Sequence, residues 1–227
     1  MTPLPAGLNI LLFDWDGTLS DTAAAGLEAF QKTFADLGSP VSRETYERIY
    51  SPNWYLMYEM LALPREVWPK ADELWLRHYG HRLPHLVDGA AEVIHELERR
   101  GYRFGVVSSG TCSRVYREIE ILGLRESFEA VICNESIRHK KPHPEGLLQA
   151  MARMHCQPHS SCYIGDSPED IRMGRNAGVF TVGVLSGYPT SRHLAAEKPD
   201  LCLGSIQQLL DHFRCGSAEG TAASTPA

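Results

Sequence analysis

What this chain lacks narrows what it can be. No apolar run approaches the ~20 residues that span a bilayer, so no membrane-spanning helix is expected. Residues 1–8 carry no positive stretch followed by an apolar core. No signal peptide is therefore expected, and the chain reads as cytoplasmic. Positive charge is not in excess: 22 Lys and Arg stand against 28 Asp and Glu, a formal net charge of −6, and no basic stripe appears. Nucleic acid is thereby disfavoured as a main partner. Six cysteines (Cys112, Cys133, Cys156, Cys162, Cys202 and Cys215) form no CxxC pair and read as reduced thiols, not as a disulfide framework. His155, Cys156, His159 and Cys162 are residue types that bind zinc, but their spacing is poor and Cys162 falls inside a predicted strand. Internal repeats are missing, and nothing in the sequence speaks to oligomeric state. What remains is an ordinary globular balance, 43% hydrophobic and 22% charged over 227 residues. That is enough for one large domain, or a core domain plus a smaller one.

The chain is organised around residues 10–19, ILLFDWDGTL. The unbroken apolar run from Ile10 to Phe13 predicts a strand buried on both faces. It ends in two carboxylates, Asp14 and Asp16, on either side of Trp15, and Gly17 then permits a sharp turn. Open α/β sheets hold ligands at the carboxyl ends of their strands. Two acids this close repel each other and call for a cation beside them.

Ser20 or Asp21 is the predicted cap of a helix running to about Leu37, stopped by Gly38-Ser39-Pro40. From 41 to 84 helical periodicity dominates, aromatics are dense, and Pro52, Pro64 and Pro69 divide the stretch into short helices. Residues 22–85 therefore read as a helical insertion. The α/β rhythm resumes near Val87. Helices are predicted over 90–100, from Gly110 to Leu122, and over 144–154, 171–177 and 206–213. Strands are predicted over 103–107, 130–133, 162–164, 179–184 and 201–203. This alternation predicts a parallel, Rossmann-like α/β sheet with helices on both faces, made of 1–21 and 86–215. Residues 216–227 are small and polar and are expected to be disordered.

Four stretches with chemical potential fall at predicted strand ends. The first is Asp14/Asp16. The second is Ser108-Ser109-Gly110, whose hydroxyls and backbone N–H groups open a helix and suit a phosphate oxygen. The third is Lys140-Lys141-Pro142-His143-Pro144, a cation held between prolines. The fourth is the acidic Gly165-Asp166-Ser167-Pro168-Glu169-Asp170. Each alone has an ordinary reading: a turn, a solvated lysine, an acidic first turn facing a helix dipole. All four together, in this order, do not.

On these motifs the chain resembles the haloacid dehalogenase superfamily of phosphohydrolases, from about Leu8 to Phe213. The likeness is closest to the branch of phosphoglycolate phosphatase and β-phosphoglucomutase, which carries a helical cap after the first strand. The resemblance implies a Mg²⁺-dependent phosphatase acting on a small phosphorylated metabolite. Asp14 would be the nucleophile, forming an aspartyl-phosphate, and Asp16 the general acid and base. Mg²⁺ would be held by Asp14, the backbone carbonyl of Asp16 and Asp166, with Asp170 bound directly or through water. Ser108, with Ser109 or Gly110, would hold phosphate oxygens, and Lys141 would neutralise charge. Thr18 would support the turn, with a phosphate contact as its alternative role. The acid at Asp16 favours phosphate esters, because dehalogenases of the superfamily lack it. A phosphosugar mutase would share every core residue, and an idle phosphometabolite-binding protein is a further alternative. Trp15 stands where the superfamily has Phe or another apolar residue. Lys140 doubles the charge beside Lys141 and is expected to be solvated, and His143 to support its loop.

In the insertion, Trp54, Tyr55 and Tyr58 lie at helical spacing and read first as packing core, second as pocket lining. Arg43, Arg48 and Arg77 would suit a substrate carboxylate, but exposed helix charges are their default reading.

Overall fold

The computed structural model describes residues 4–80 and 82–213. Among them, β1 (Ile10–Phe13), β2 (Arg103–Val107), β3 (Phe128–Ile132), β4 (Ser161–Gly165), β5 (Phe180–Val184) and β6 (Leu201–Leu203) form one parallel sheet. The spatial order is β3-β2-β1-β4-β5-β6. β1 therefore lies between β2 and β4, and its four residues are all buried.

Alternation along β1 divides its side chains between the two faces. Leu11 and Phe13 join the cluster of Phe104, Ile164 and Val182, covered by α5 (Ala90–Arg99) and α6 (Cys112–Ile121). Ile10 and Leu12 join Tyr163 on the other face, covered by α7 (Glu145–Arg153) and α8 (Pro168–Ala177). A sheet covered on both sides needs a wholly apolar central strand, and ILLF supplies it. The chain ends its described course with α9 (Leu209–His212), against the first face. No helix among the described residues is long and apolar enough to cross a membrane.

Between β1 and α5 lie, among the described residues, four α-helices with an apolar cluster of their own: α1 (Ala23–Asp36), α2 (Arg43–Ile49), α3 (Trp54–Met60) and α4 (Trp68–Tyr79). Phe30 and Phe34 of the first stack at 4.5 Å and meet Tyr46 and Tyr58 of the next two. The two crossings into this helical segment run side by side. Ser20 bridges Leu86, and the Asp21 N–H donates to the His85 carbonyl at 2.9 Å.

That pairing corrects the predicted start of the first helix. Thr22 precedes Ala23 at its N-terminus. Ser20 and Asp21 are unavailable as caps because their backbone is committed to the bridge. Several edges also move: the third strand starts at Phe128, not 130, and the fifth at Phe180, not 179. The eighth helix begins at Pro168, where Ser167 accepts from the Asp170 N–H in a capping box. The last predicted helix divides into a 3₁₀ turn, Ile206–Gln208, and a short α-helix. An extended 3₁₀ segment, Pro189–Glu197, was not foreseen. Cys215 and the tail 216–227 lie outside the described residues. The suspected zinc set does not assemble among the described residues: Cys156 lies against Ser161 and the Met151 carbonyl, and Cys162 is buried within β4.

Leu12 sits at the middle of the central strand with no exposed surface. Leu12→Ala is expected to lower stability by about 2–5 kcal/mol in urea unfolding, the cost of lost transfer energy plus a cavity. A loss below about 1 kcal/mol would mean the sheet does not depend on this packing.

Candidate active site

Sheet register builds the site. Phe13 is level with Val106 of β2 and Ile164 of β4, so the residues that follow each strand emerge together at one edge. The Asp14 N–H donates to the Ile164 carbonyl at 2.8 Å, and the Ser108 N–H to the Ile132 carbonyl at 2.9 Å. Beyond Asp16 the chain turns at Gly17, whose φ is +85°. A side chain there would be strained by that conformation and would strike the Asp166 carboxylate and the Tyr188 ring. Glycine thus lets the acidic turn close down on the acid from β4.

Asp14, Asp166 and Asp170 are all buried, and each offers a carboxylate oxygen within 4.8 Å of the others. Lys141 reaches this group from the loop before α7. Its Nζ donates to Asp14 Oδ1 at 2.5 Å and to Asp170 Oδ1 at 2.7 Å. Asp170 is held further by the Tyr163 hydroxyl at 3.1 Å and by the Ser167 hydroxyl and N–H at 2.6 and 3.0 Å. Ser186 donates to Asp166. Burial, reinforced by the neighbouring Asp170 and Asp16, raises the Asp14 acid to about 7 against the pull of Lys141. Burial and the facing Asp14 and Asp170 push Asp166 well above the usual carboxylate range. Burial disfavours the Lys141 charge, but Asp14 and Asp170 outweigh it and hold the ammonium well above its ordinary value. Buried carboxylates under such repulsion form an oxygen-rich site that fits a hard divalent cation.

The expected phosphate loop also arrives here. Ser108 is buried; its hydroxyl accepts from the Gly110 N–H at 2.9 Å and stands 3.5 Å from Asp16 Oδ2. Ser109 and Gly110 line the same cavity as Asp14, Asp16, Lys141, Asp166 and Asp170. Thr18 is buried, but it is not part of the cavity wall, and its hydroxyl has no hydrogen-bond partner among the described residues. Lys140 is a correction. Instead of standing in solvent it is half-buried, and its Nζ donates to the carbonyls of Asn134 and Ile137 at 2.5 and 3.2 Å. Loop carbonyls outside regular secondary structure need a donor, and Lys140 supplies one to both. His143 accepts from the Glu145 N–H at 3.2 Å, the loop-supporting role expected of it.

Two neighbours of the acidic turn escaped the sequence reading. Arg114 of α6 is buried and donates to both oxygens of Asp16, at 2.9 and 2.6 Å. It also donates to Glu118 one turn later, at 3.1 Å, and Glu118 accepts from the Trp15 indole at 2.6 Å. Burial favours the neutral Asp16 acid, but the Arg114 guanidinium overrides it and holds Asp16 below the usual carboxylate range. An Arg and a Glu four residues apart normally read as an exposed helix pair. The one available signal was Trp15, a spacer whose indole N–H demands a partner when buried.

The helical segment closes the cavity from the other side. Trp54 and Tyr58 line it, and with Tyr55 they donate to Asp72 at 3.0–3.1 Å. The aromatic stripe is thus both packing core and wall. Trp75 and Tyr79 stack at 4.7 Å, and the Arg114 guanidinium lies 5.9 and 5.3 Å from their ring centres. Arg43 and Arg77 pair with Glu47 and Glu73 at the exposed surface, and neither they nor Arg48 line this cavity.

Trp15→Phe removes the indole donor from a buried carboxylate. A stability loss of about 1–3 kcal/mol is expected in urea unfolding, and a loss under about 0.5 kcal/mol would show that Glu118 does not need that donor.

Known proteins resemble this chain in sequence and in fold. A family model described as haloacid dehalogenase-like hydrolase matches residues 11–184. The pyrophosphatase PpaX of Listeria monocytogenes serotype 4b is 31% identical over 210 residues, covering 89% of this chain and 95% of its own. Among solved structures, the haloacid dehalogenase-like family protein SP0104 of Streptococcus pneumoniae superposes with a TM-score of 0.79 at 20% identity, covering 92% of this chain and 99% of its own. CbbY of Rhodobacter sphaeroides, solved with phosphate, gives 0.76 at 24%, covering 89% and 96%. The fold, the acidic strand ends and the match over most of its length place this chain in the haloacid dehalogenase-like hydrolase family.

Proposed function

We propose that this protein is a Mg²⁺-dependent phosphatase that hydrolyses a small phosphorylated metabolite through an aspartyl-phosphate. The observation that carries the reading is Lys141, whose ammonium bridges Asp14 and Asp170 beside the Asp166 carboxylate. Asp14 would attack phosphorus, with Lys141 offsetting the charge of nucleophile and phosphoryl oxygens. Asp16 would donate a proton to the leaving alcohol and then take one from the water that hydrolyses the acyl phosphate. Ser108 and the N–H groups of Ser109 and Gly110 would hold the phosphoryl oxygens, while Thr18 would brace the turn. Mg²⁺ would sit on Asp14, Asp166 and the Asp16 carbonyl, where it supplies charge that lets a dianion approach a carboxylate. Both Asp170 oxygens already have donors. That favours Asp170 reaching the ion through water while it holds Lys141 in place.

Residues 22–85 would act as a cap domain over a core formed by 1–21 and 86–215, excluding bulk water when closed. The paired crossings at Ser20, Asp21, His85 and Leu86 suit a hinge. The cytoplasm is the proposed location. Phosphoglycolate is the substrate suggested by the family likeness and pyrophosphate the one suggested by the relative's name.

Turnover of p-nitrophenyl phosphate should require Mg²⁺, stop with EDTA, and return when Mg²⁺ is restored. Asp14→Asn should lower kcat by at least about 10³-fold, and Lys141→Ala by about 10²–10³-fold. Undiminished activity in Asp14→Asn would reject the assigned nucleophile.

A further inference from the structure

We infer that the site selects phosphomonoesters whose leaving alcohol is uncharged or positively charged, and turns away those bearing a second anionic group. The inference rests on the phosphatase reading, because it concerns the part of the cavity beyond the transferred phosphoryl.

Charge balance makes the first half of the case. Lys141 and Arg114 are the only Lys, Arg or His side chains lining the cavity among the described residues. Each already has two carboxylates. Lys141 is bound by Asp14 and Asp170, and Arg114 by Asp16 and Glu118. Lys141 is also the group nearest the nucleophile, so it is taken up by the phosphoryl being transferred. A second anion at Arg114 would have to share a guanidinium already bound to Asp16 and Glu118 and packed against the aromatic faces of Trp75 and Tyr79. The remaining charged lining is negative: five carboxylates, Asp14, Asp16, Asp72, Asp166 and Asp170, face into one space. One divalent cation does not give such a wall an excess of positive charge.

The far wall makes the second half. It is built from aromatic rings of the helical segment, with Trp54 and Tyr58 turned inward and Asp72 held among them by three donors. Ring faces carry negative electrostatic potential and attract apolar groups and cations. A carboxylate set among them adds to that preference. An ammonium or an apolar ring seated here meets complementary surface. A second phosphate or carboxylate would be stripped of water and left without a cation. The two substrates suggested by likeness, phosphoglycolate and pyrophosphate, both fall on the disfavoured side.

O-phosphoethanolamine and phosphoglycolate share a two-carbon frame and differ in the sign of the far charge. Phenyl phosphate and 4-carboxyphenyl phosphate form a second matched pair. For the wild-type enzyme with Mg²⁺, kcat/KM should favour the first member of each pair by at least about tenfold. Asp14→Asn, titrated calorimetrically with the same four esters, should bind them in the same order. Asp72→Asn should shrink the preference for O-phosphoethanolamine over phosphoglycolate by about tenfold. If p-nitrophenyl phosphate turns over but phosphoglycolate or pyrophosphate is the better substrate, or the paired esters fall within about threefold, the inference fails and the phosphatase reading survives. If no ester turns over, the phosphatase reading fails. The binding order then decides the inference alone, and tighter binding of the anionic member of either pair overturns it. An unaltered ratio in Asp72→Asn would show that the far wall does not select by charge, and overturns the inference.

Discussion

Carboxylates crowded away from water repel one another, and Lys141 is what reconciles them. Its ammonium lies between Asp14 and Asp170, with Asp166 close by. Without that charge the cluster would favour protonation, since burial already raises Asp14 to about 7. The rest of the fold serves this arrangement. A central strand with no polar residue carries Asp14 to the sheet edge, and parallel register delivers Asp166 beside it. Tyr163 and Ser167 then fix Asp170 so that it can hold the lysine. A buried ion pair is weak evidence for stability, because desolvation offsets most of its attraction. Its presence here fits the proposed role, in which Asp14 would be a nucleophile next to an incoming dianion.

A second ionic chain runs on the other side of Asp16. Trp15 donates to Glu118, Glu118 accepts from Arg114, and Arg114 clasps Asp16. Trp75 and Tyr79 of the helical segment rest against the same guanidinium. The position of the proposed proton donor is therefore linked to the helices above it. Sequence neighbours Asp14 and Asp16 are given opposite surroundings: one faces an ammonium and two acids, the other a guanidinium.

Much of this was legible in the residues. The ILLF run, the DWDGT turn, the Ser108 loop, Lys141 and the GDSPED stretch each bear a type and place that chemistry restricts, and the structure brings them to one sheet edge. Arg114 and Glu118 were not legible, because their spacing matches a common exposed pair and only tertiary packing decides which face of α6 is buried. Asp72 was hidden for the same reason: between Lys70 and Glu73 it looks like one more exposed helix charge, and its partners Trp54, Tyr55 and Tyr58 come from another helix. Lys140 was misread because loop carbonyls needing a donor have no signature in sequence. The start of the first helix was misplaced because Ser20 and Asp21 are good caps that long-range pairing claimed first.

The account stands on Asp14 as the atom that meets phosphorus. The most direct measurement is to quench the enzyme in acid during turnover of p-nitrophenyl phosphate with Mg²⁺ and map the protein by mass spectrometry. A hydroxylamine-sensitive phosphoryl group on the peptide containing Asp14 is the predicted result. Phosphate carried by another side chain, or steady turnover with Asp14 never modified, would contradict it.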